Sequence, residues 1–221
     1  MLWKMDDFFS MEGCPCPGAF DLVQYPWELL ARIELLIDEL VQEKLGKFRQ
    51  IAPGVWVGAR TTVADTARFY GPAIFGEDCE IRPNAFVRGN ILAGDGVTLG
   101  HSSEVKQAIL FSGVQLPHFN YVGDSILGSG VHLGAGVIVS NVKSTKENVR
   151  IKMGEEVVET GLRKFGAIVG DQVEVGCNAV LNPGTLIGAK SVIYPLSSVR
   201  GFIPGGMIYK SRGDIVPLDP N

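Results

Sequence analysis

Apolar side chains recur at every sixth position along most of this chain. Eleven consecutive positions form the first run: Val57, Val63, Phe69, Phe75, Ile81, Val87, Ala93, Leu99, Val105, Phe111 and Pro117. Two one-residue slips carry the count through Val122, Leu127, Leu133 and Val139, and it resumes from Val169 to Val199. Because strand side chains alternate with period two, a period of six indicates short strands that bend at regular corners. We therefore predict an all-β fold, a parallel β-helix of hexapeptide coils over 51–205, with a C-terminal tail over 206–221.

Residues 1–50 lack the repeat. Between Trp27 and Leu45 the apolar residues follow helical spacing, with Pro26 suited to the start of a helix and Gly46 to its end. This predicts an α-helix over 27–45 in an N-terminal extension. We expect this helix to cap the first coil, since solenoid ends otherwise expose core and sheet edge. A helix that binds a partner or forms an oligomer is the alternative.

A second region, the inserted loop over 142–167, also breaks the repeat. Its centre alternates polar and apolar residues around Met153 and Gly154, which predicts a β-hairpin that leaves the solenoid. It is rich in cations, at Lys143, Lys146, Arg150, Lys152, Arg163 and Lys164. Four glutamates interleave with them, so a solvated charge run and a contact with ligand phosphate both stay open.

Composition narrows the functional classes. The 221 residues carry a formal net charge of −4, which does not suggest a nucleic-acid partner. No apolar run approaches the roughly 20 residues that span a bilayer, and the N-terminus lacks a signal-peptide pattern, so we expect a cytoplasmic protein with no membrane partner. The four cysteines are too few for a disulfide framework, and the Cys14-x-Cys16 pair is a weak metal motif. We expect no bound metal.

The three histidines, His101, His118 and His132, lie within 32 residues of one another. In the six-residue frame His118 directly follows an anchor, which directs its side chain away from the coil interior. A neutral imidazole there can accept a proton at neutral pH. A lone surface histidine is more often inert than catalytic, but the preceding Pro117, Tyr121 three residues on and the slip of the repeat that follows support a chemical role, and both interpretations stay open.

Two cations are spaced by three hexapeptides, which predicts that they stack on one face. Arg88 and Lys106 are 18 residues apart, and neighbouring strands are about 4.8 Å apart. Like charges at that spacing repel unless an anion lies between them, so the pair suits a phosphate group. Arg82 is a third candidate, and solvated surface cations are the alternative interpretation.

Four segments carry a resemblance to a known family: SSEVKQA, PHFNYVGD, GVHLGAGVIVSN and KFGAIVGDQVEVG. Over roughly residues 51–205 the chain resembles the acetyltransferase domain of the bifunctional N-acetylglucosamine-1-phosphate uridyltransferase/glucosamine-1-phosphate acetyltransferase. It also resembles the C-terminal domains of related sugar-phosphate nucleotidyltransferases. The resemblance implies a left-handed β-helix, a homotrimer with active sites between subunits, acetyl-CoA as co-substrate and an amino-sugar phosphate as acceptor.

The resemblance also implies roles for individual residues. His118 matches the general base and Asn141 an amide that bonds the amino sugar; both are counted as catalytic candidates. Candidates for substrate binding are Arg88, Lys106, Tyr121, Lys164, His132 and Arg82, and those for the coenzyme channel are Ala135 and Cys177. Val142 and His132 depart from the family, which has Tyr and Asn there, so the acceptor stays open. No nucleotidyltransferase pattern is present, and we expect a separate protein to supply that activity.

Two other classes of function fit parts of the pattern. One is a non-catalytic module that binds a sugar phosphate or sugar nucleotide. The other is a γ-class carbonic anhydrase, in which histidines of neighbouring subunits hold zinc. The histidine gaps of 17 and 14 residues do not match the H-x-x-x-x-H pattern of that site.

Overall fold

The computed structural model describes residues 4–43, 46–153 and 155–218. Within them the chain winds as a parallel β-helix whose coils contribute short strands to three faces. Face 1 contains β4 (Arg68–Tyr70), β7 (Phe86–Arg88), β14 (Ile138–Val139), β19 (Val180–Leu181) and β22 (Ser198–Val199). Face 2 contains β2 (Val55–Val57), β5 (Ala73–Phe75), β8 (Ile91–Ala93), β17 (Ala167–Val169), β20 (Thr185–Ile187) and β23 (Phe202–Ile203). Two longer strands, β10 (Glu104–Leu110) and β12 (Tyr121–Leu127), bend round the corner from face 1 to face 2.

Face 3 forms a second sheet. Its strands are β3 (Thr62–Val63), β6 (Glu80–Ile81), β9 (Thr98–His101), β11 (Gln115–His118), β13 (His132–Leu133), β18 (Glu174–Val175), β21 (Val192–Ile193) and β24 (Met207–Ser211). Each strand pairs in parallel with its equivalent one coil away, so the same position of successive coils stacks in a column.

The predicted anchors form the interior of the coils, with two corrections. Val57, Val87, Leu99 and their equivalents are buried in one continuous core. Phe111 and Pro117 are not interior anchors; Leu110 and Leu116 point inward instead. The reason is the tighter corner at Gln107 (φ +49°), which makes this coil one residue shorter: Val105 pairs with Val87, but Ala108 pairs with Ile91. Phe111 is instead buried outside the coil.

The N-terminal extension packs along face 2. Face 2 presents one outward apolar residue on each of six coils, Ile74, Leu92, Ile109, Ile126, Ile168 and Leu186. These pack against apolar residues of the extension that include Phe8, Trp27, Leu29, Ile33 and Ile37. Backbone bonds fix its position along the solenoid: Asp171 N–H donates to the Phe8 carbonyl at 2.8 Å and Ser112 N–H to that of Gly13 at 2.9 Å. The expectation that the extension shields the end of the first coil is therefore wrong; it covers a side.

The helical segment itself is confirmed, with a different internal structure. Short helical turns at Met5–Asp7 (3₁₀) and Pro17–Phe20 (α1) precede a 3₁₀ helix over Pro26–Arg32 and α2 over Ile33–Glu43. The predicted end at Leu45 lies outside the described residues. A 3₁₀ helix has three residues per turn, so Trp27 and Leu30 fall on one line that continues to Ile33, and all three are buried. No helix in the described part of the chain has the length and apolar character to cross a membrane.

Antiparallel hairpins close both ends of the solenoid. At the first coil β1 (Arg49–Ala52) pairs with β2, and Ile51 and Ala52 pack on the core. At the other end β24 pairs with β21 and then turns back into β25 (Asp214–Pro217). The prediction of a tail over 206–221 is therefore corrected, because β24 continues the solenoid. Tyr209 is a further interior anchor, buried beside Ile193.

The inserted loop contains the predicted hairpin. Strands β15 (Arg150–Met153) and β16 (Glu156–Glu159) pair antiparallel, and Gly154 lies outside the described residues. Rather than projecting away, the hairpin folds back on the last coils, because Val149, Ile151 and Met153 join the apolar cluster of face 2. The loop leaves the solenoid at Asn141 and returns at Phe165, whose N–H donates to the Asn141 carbonyl at 3.0 Å.

Candidate functional site

A column of corner residues at the end of face 3 contains the candidate base and both coenzyme-channel candidates. His101, His118, Ala135 and Cys177 lie at equivalent positions of successive coils. Each carbonyl in this column accepts a backbone hydrogen bond from the coil above, as when Gly136 N–H donates to His118 at 3.0 Å and Asn178 N–H to Ala135 at 2.9 Å. The fold therefore aligns the three predicted residues His118, Ala135 and Cys177 along the solenoid axis.

A buried asparagine holds the corner that carries His118. The Asn120 side chain accepts from the His118 backbone N–H at 3.1 Å and donates to the Gly134 carbonyl at 2.8 Å. Its own backbone N–H donates to the Ser103 hydroxyl at 3.1 Å. Asn120 is 2% exposed, so these bonds are shielded from water. The sequence does not mark Asn120 as a positioning residue because its role depends on three different coils.

The three imidazoles differ in their partners. His101 contacts the Pro83 carbonyl through Nδ1 at 3.1 Å, and His132 pairs with Glu174 at 2.8 Å. The His118 ring is exposed and has no hydrogen bond to any described residue. Of the histidines, His118 is thus the one with neither ring nitrogen in a described hydrogen bond.

A row of charged and amide side chains runs along face 1, beyond the His118 corner. Arg88 donates to Glu104 at 2.7 Å, and the Lys106 Nζ lies 3.9 Å from the Asp124 carboxylate. Asp124 also accepts a hydrogen bond from the Asn141 side chain. Asp124 and Asn141 are both largely buried, so this pair fixes one edge of the row.

The Tyr121 side chain folds over Gly123 towards Asn141. A Cβ placed on Gly123 would lie 2.6 Å from the Tyr121 hydroxyl and 2.7 Å from the Asn141 Nδ2. Burial raises the pKa of Tyr121, and the nearby carboxylates of Asp124 and Glu104 raise it further, so the phenol stays protonated at neutral pH. Glycine at 123 is what allows the phenol and the amide to meet.

Arg88 and Lys106 are stacked as predicted, but their positive charges are balanced by neighbouring carboxylates. Val87 and Val105 are paired, so Arg88 and Lys106 follow on adjacent strands as expected. Each of them faces a carboxylate that sequence reasoning missed, Glu104 and Asp124 respectively. One signal was available: Glu104 precedes Lys106 by two residues, and residues i and i+2 of a strand share a face.

Three other candidates lie at the margin of this arrangement. Lys164 is exposed, and it directly precedes the Phe165 that bonds to Asn141, so its backbone is brought to the row. Arg82 forms an ion pair with Glu80 at 2.8 Å on face 3. His132 pairs in register with Gln115, three residues along the strand from the His118 column, or about 10 Å at 3.3 Å per residue. No described contact joins Arg82 or His132 to the row.

In the described part of the chain no three His, Cys, Asp or Glu side chains form a group that could hold a metal ion. Cys14 is partly buried and Cys16 buried, and a hydrogen bond between the two cysteines, together with burial, raises the pKa of Cys16. Cys79 lies in the core.

The parallel coils, the hexapeptide register and the corner-mounted polar residues define a hexapeptide-repeat β-helix domain. A family model described as the GMPPB C-terminal domain matches residues 69–193, more than half of the chain. The chain belongs to this family, whose domain is a left-handed β-helix.

Two of the similar curated proteins are bifunctional by name. A bifunctional sugar-1-phosphate nucleotidylyltransferase/acetyltransferase of Sulfurisphaera tokodaii is 30% identical over 204 residues, covering 84% of this chain and 47% of that protein. The bifunctional protein GlmU of Methanococcus maripaludis is 28% identical over 195 residues, covering 87% and 47%. The chain therefore spans about half the length of these two relatives. Among solved structures, an Arabidopsis UDP-N-acetylglucosamine acyltransferase matches with 16% identity and a TM-score of 0.48, covering 76% of this chain and 65% of that one.

Proposed function

We propose that this protein is a coenzyme A-dependent N-acetyltransferase whose acceptor is the amine of a phosphorylated amino sugar such as glucosamine 1-phosphate. The relative of Sulfurisphaera tokodaii is named as both a sugar-1-phosphate nucleotidylyltransferase and an acetyltransferase. The observation that carries the proposal is the free His118 ring at the corner column that continues through Ala135 and Cys177.

In the proposed reaction His118 acts as the general base. The amine nitrogen attacks the thioester carbonyl carbon of acetyl-CoA while the imidazole accepts the amine proton. The C–S bond then breaks, and the departing thiolate takes a proton from the imidazolium, which restores the enzyme. A positioned base of this kind contributes roughly 10² to 10⁴ in rate.

The negative charge that develops on the carbonyl oxygen needs a hydrogen-bond donor near His118. The backbone N–H of Ala135, one coil above His118, has no acceptor among the described residues. We assign it as the donor to this oxygen. A backbone donor suits this task because it is already fixed by the fold and does not need to reorganise.

The row on face 1 supplies the groups that would hold the acceptor. Tyr121 and Asn141 offer hydrogen-bonding groups side by side. Lys106, Arg88 and Lys164 supply positive charge for the sugar phosphate. Arg88 and Lys106 each lie beside one carboxylate, so phosphate binding requires these pairs to open or to share the cation.

The proposal includes a homotrimer in the cytoplasm, with each site completed by a neighbouring subunit. Its support in the structure is the exposed apolar surface beside the His118 column. Phe119 directly follows His118 and is 57% exposed, and Leu196, at the same corner position near the end of the solenoid, is 80% exposed. A separate protein would supply nucleotidyl transfer.

A second candidate is a module that binds a sugar phosphate or sugar nucleotide without turnover. It is favoured by one observation: Glu104 and Asp124 already partner Arg88 and Lys106, as expected of a structural network.

Thiol release from acetyl-CoA tests the proposal and separates the two candidates. Glucosamine 1-phosphate should release free thiol in proportion to enzyme, whereas glucose 1-phosphate, which lacks the amine, should release none. If a panel of amino-sugar phosphates and amino-sugar nucleotides releases no thiol but binds by calorimetry, the module without turnover is correct.

A further inference from the structure

A basic groove separates the inserted hairpin from the last coils of face 1. Its volume is about 450 Å³, within the usual range for small-molecule sites. Polar residues that line it include Ser140, Lys143, Arg150, Lys152, Asn182 and Arg200. We call it the hairpin groove. It lies outside the His118 column and outside the row of charged and amide side chains on face 1.

The charge of the hairpin groove is only partly balanced. Lys143 pairs with Glu147 at 3.1 Å and Arg150 with Glu159 at 2.7 Å. Lys152 and Arg200 are exposed and form no ion pair with a carboxylate in the described ranges. No described lining residue is Asp or Glu, and the two carboxylates beside the groove, Glu147 and Glu159, are already paired with Lys143 and Arg150.

Neutral side chains of the groove can bond other parts of a ligand. The Asn182 Nδ2 donates to the Ser198 hydroxyl at 3.0 Å and to the Val199 carbonyl at 2.8 Å. Because both amide hydrogens are engaged, the side-chain oxygen of Asn182 is left to accept from a ligand hydroxyl. Ser140 adds a hydroxyl one strand away, as Val139 pairs with Leu181.

The length of the groove suits two linked phosphates better than one. Ser140, Asn182 and Arg200 follow β14, β19 and β22 on three successive strands, a span of about 10 Å at 4.8 Å per strand. The two unpaired cations lie on different elements: Lys152 is on β15 of the hairpin, and Arg200 follows β22 of the solenoid. Two separate cations favour a ligand with more than one anionic group. The acidic net charge of the chain and the enclosure by the hairpin argue against a nucleic-acid polymer.

We propose that the hairpin groove binds the pyrophosphate group of a nucleotide, with Lys152 and Arg200 as its main contacts. The pyrophosphate could belong to a nucleoside diphosphate sugar or to coenzyme A. Binding does not require acetyl transfer, so this inference stands or falls separately from the proposed function.

Calorimetric titration of the whole chain with inorganic pyrophosphate, uridine 5′-diphosphate and coenzyme A tests the inference. The test variant is Lys152→Gln with Arg200→Gln. The matched control is Lys146→Gln, which removes a charge from the same inserted segment but from a residue that does not line the groove. The test variant should weaken pyrophosphate binding at least tenfold, and the control by less than twofold.

The nucleotide titrations identify the source of the pyrophosphate. A tenfold loss for uridine 5′-diphosphate alone assigns the groove to a nucleoside diphosphate sugar, and a loss for coenzyme A alone assigns it to the coenzyme. Absence of pyrophosphate binding to the unmodified protein, equal losses in test and control variants, or unchanged affinity for both nucleotides would overturn the proposal. Circular dichroism of each variant establishes that it is folded.

Discussion

The Asp124 carboxylate lies 3.9 Å from the ammonium nitrogen of Lys106 and is largely buried at the corner between faces 1 and 2. The same carboxylate accepts a hydrogen bond from Asn141. One acidic residue therefore connects Lys106, a candidate for binding the phosphate, with Asn141, a candidate for binding the amino sugar. Asp124 also adopts a left-handed backbone conformation, with φ +49°. We regard it as a positioning residue.

Substitution of Asp124 should affect both stability and binding of the acceptor. Asp124→Ala leaves buried partners unsatisfied and should lower the free energy of unfolding by about 1–3 kcal/mol in urea titrations. Asp124→Asn tolerates the left-handed conformation and keeps one acceptor oxygen, so its loss should be smaller. Both variants should raise KM for the amino-sugar phosphate at least tenfold with a smaller change in kcat. Equal stability of the two variants and the parent would show that the pairing is incidental.

Gly123→Ala should displace Tyr121 and Asn141 without unfolding the protein. The new Cβ would stand within 2.7 Å of both polar groups, closer than real Cβ contacts allow. We expect acetyl transfer to fall at least tenfold. Gly18→Ala is the control, since a Cβ there meets nothing within 4 Å. Full activity of Gly123→Ala would remove this pair from the site.

Cysteine alkylation reports on the proposed coenzyme channel. Cys177 is exposed two coils above His118, whereas burial raises the pKa of Cys79 to about 11 and keeps that thiol protonated. Iodoacetamide at pH 8 should therefore modify Cys177 and leave Cys79 intact, as read by peptide mass spectrometry. Saturating coenzyme A should slow modification of Cys177 at least fivefold. Unchanged labelling of Cys177 would place the coenzyme elsewhere.

The repeat was sufficient to predict the solenoid, because each short strand contributes one inward apolar residue and successive strands begin about six residues apart. It failed at Phe111 and Pro117, because the residues that point inward, Leu110 and Leu116, are also apolar. The sequence pattern therefore does not show that the repeat has shifted by one residue. The position of the N-terminal extension was not predictable from its own pattern. An amphipathic helix shows that it has a buried side, but the surface that receives it, the outward residues of face 2, is spread over six coils.

For the candidate site, the resemblance implied separate roles for His118, Ala135 and Cys177, and it did not indicate that the three share one column of the solenoid. It missed Glu104, Asn120 and Asp124. These residues act through partners 16 or 17 residues away, about one coil along the solenoid. The hairpin groove was likewise hidden, because Arg200 reaches it from a strand 48 residues beyond Lys152.

The seating of the N-terminal extension can be tested within α2. Ile33 is fully buried against face 2, and Leu35 in the same helix is exposed. Ile33→Ala should lower the free energy of unfolding by about 2–5 kcal/mol, the usual range for a buried aliphatic residue. Leu35→Ala should change it by less than about 0.5 kcal/mol, as at other surface positions. Similar effects of the two variants would contradict packing of the extension on this face.

The most direct test of the account compares His118→Gln with His101→Gln. Both histidines occupy the same corner column, but the His101 ring is bonded to the Pro83 carbonyl and has no part in the proposed reaction. The measurement is kcat for thiol release from acetyl-CoA with glucosamine 1-phosphate, together with oligomeric mass by light scattering. We predict at least a hundredfold loss for His118→Gln, less than a fivefold loss for His101→Gln, and a trimer in both. An unchanged kcat in His118→Gln would contradict the assignment of this imidazole as the base.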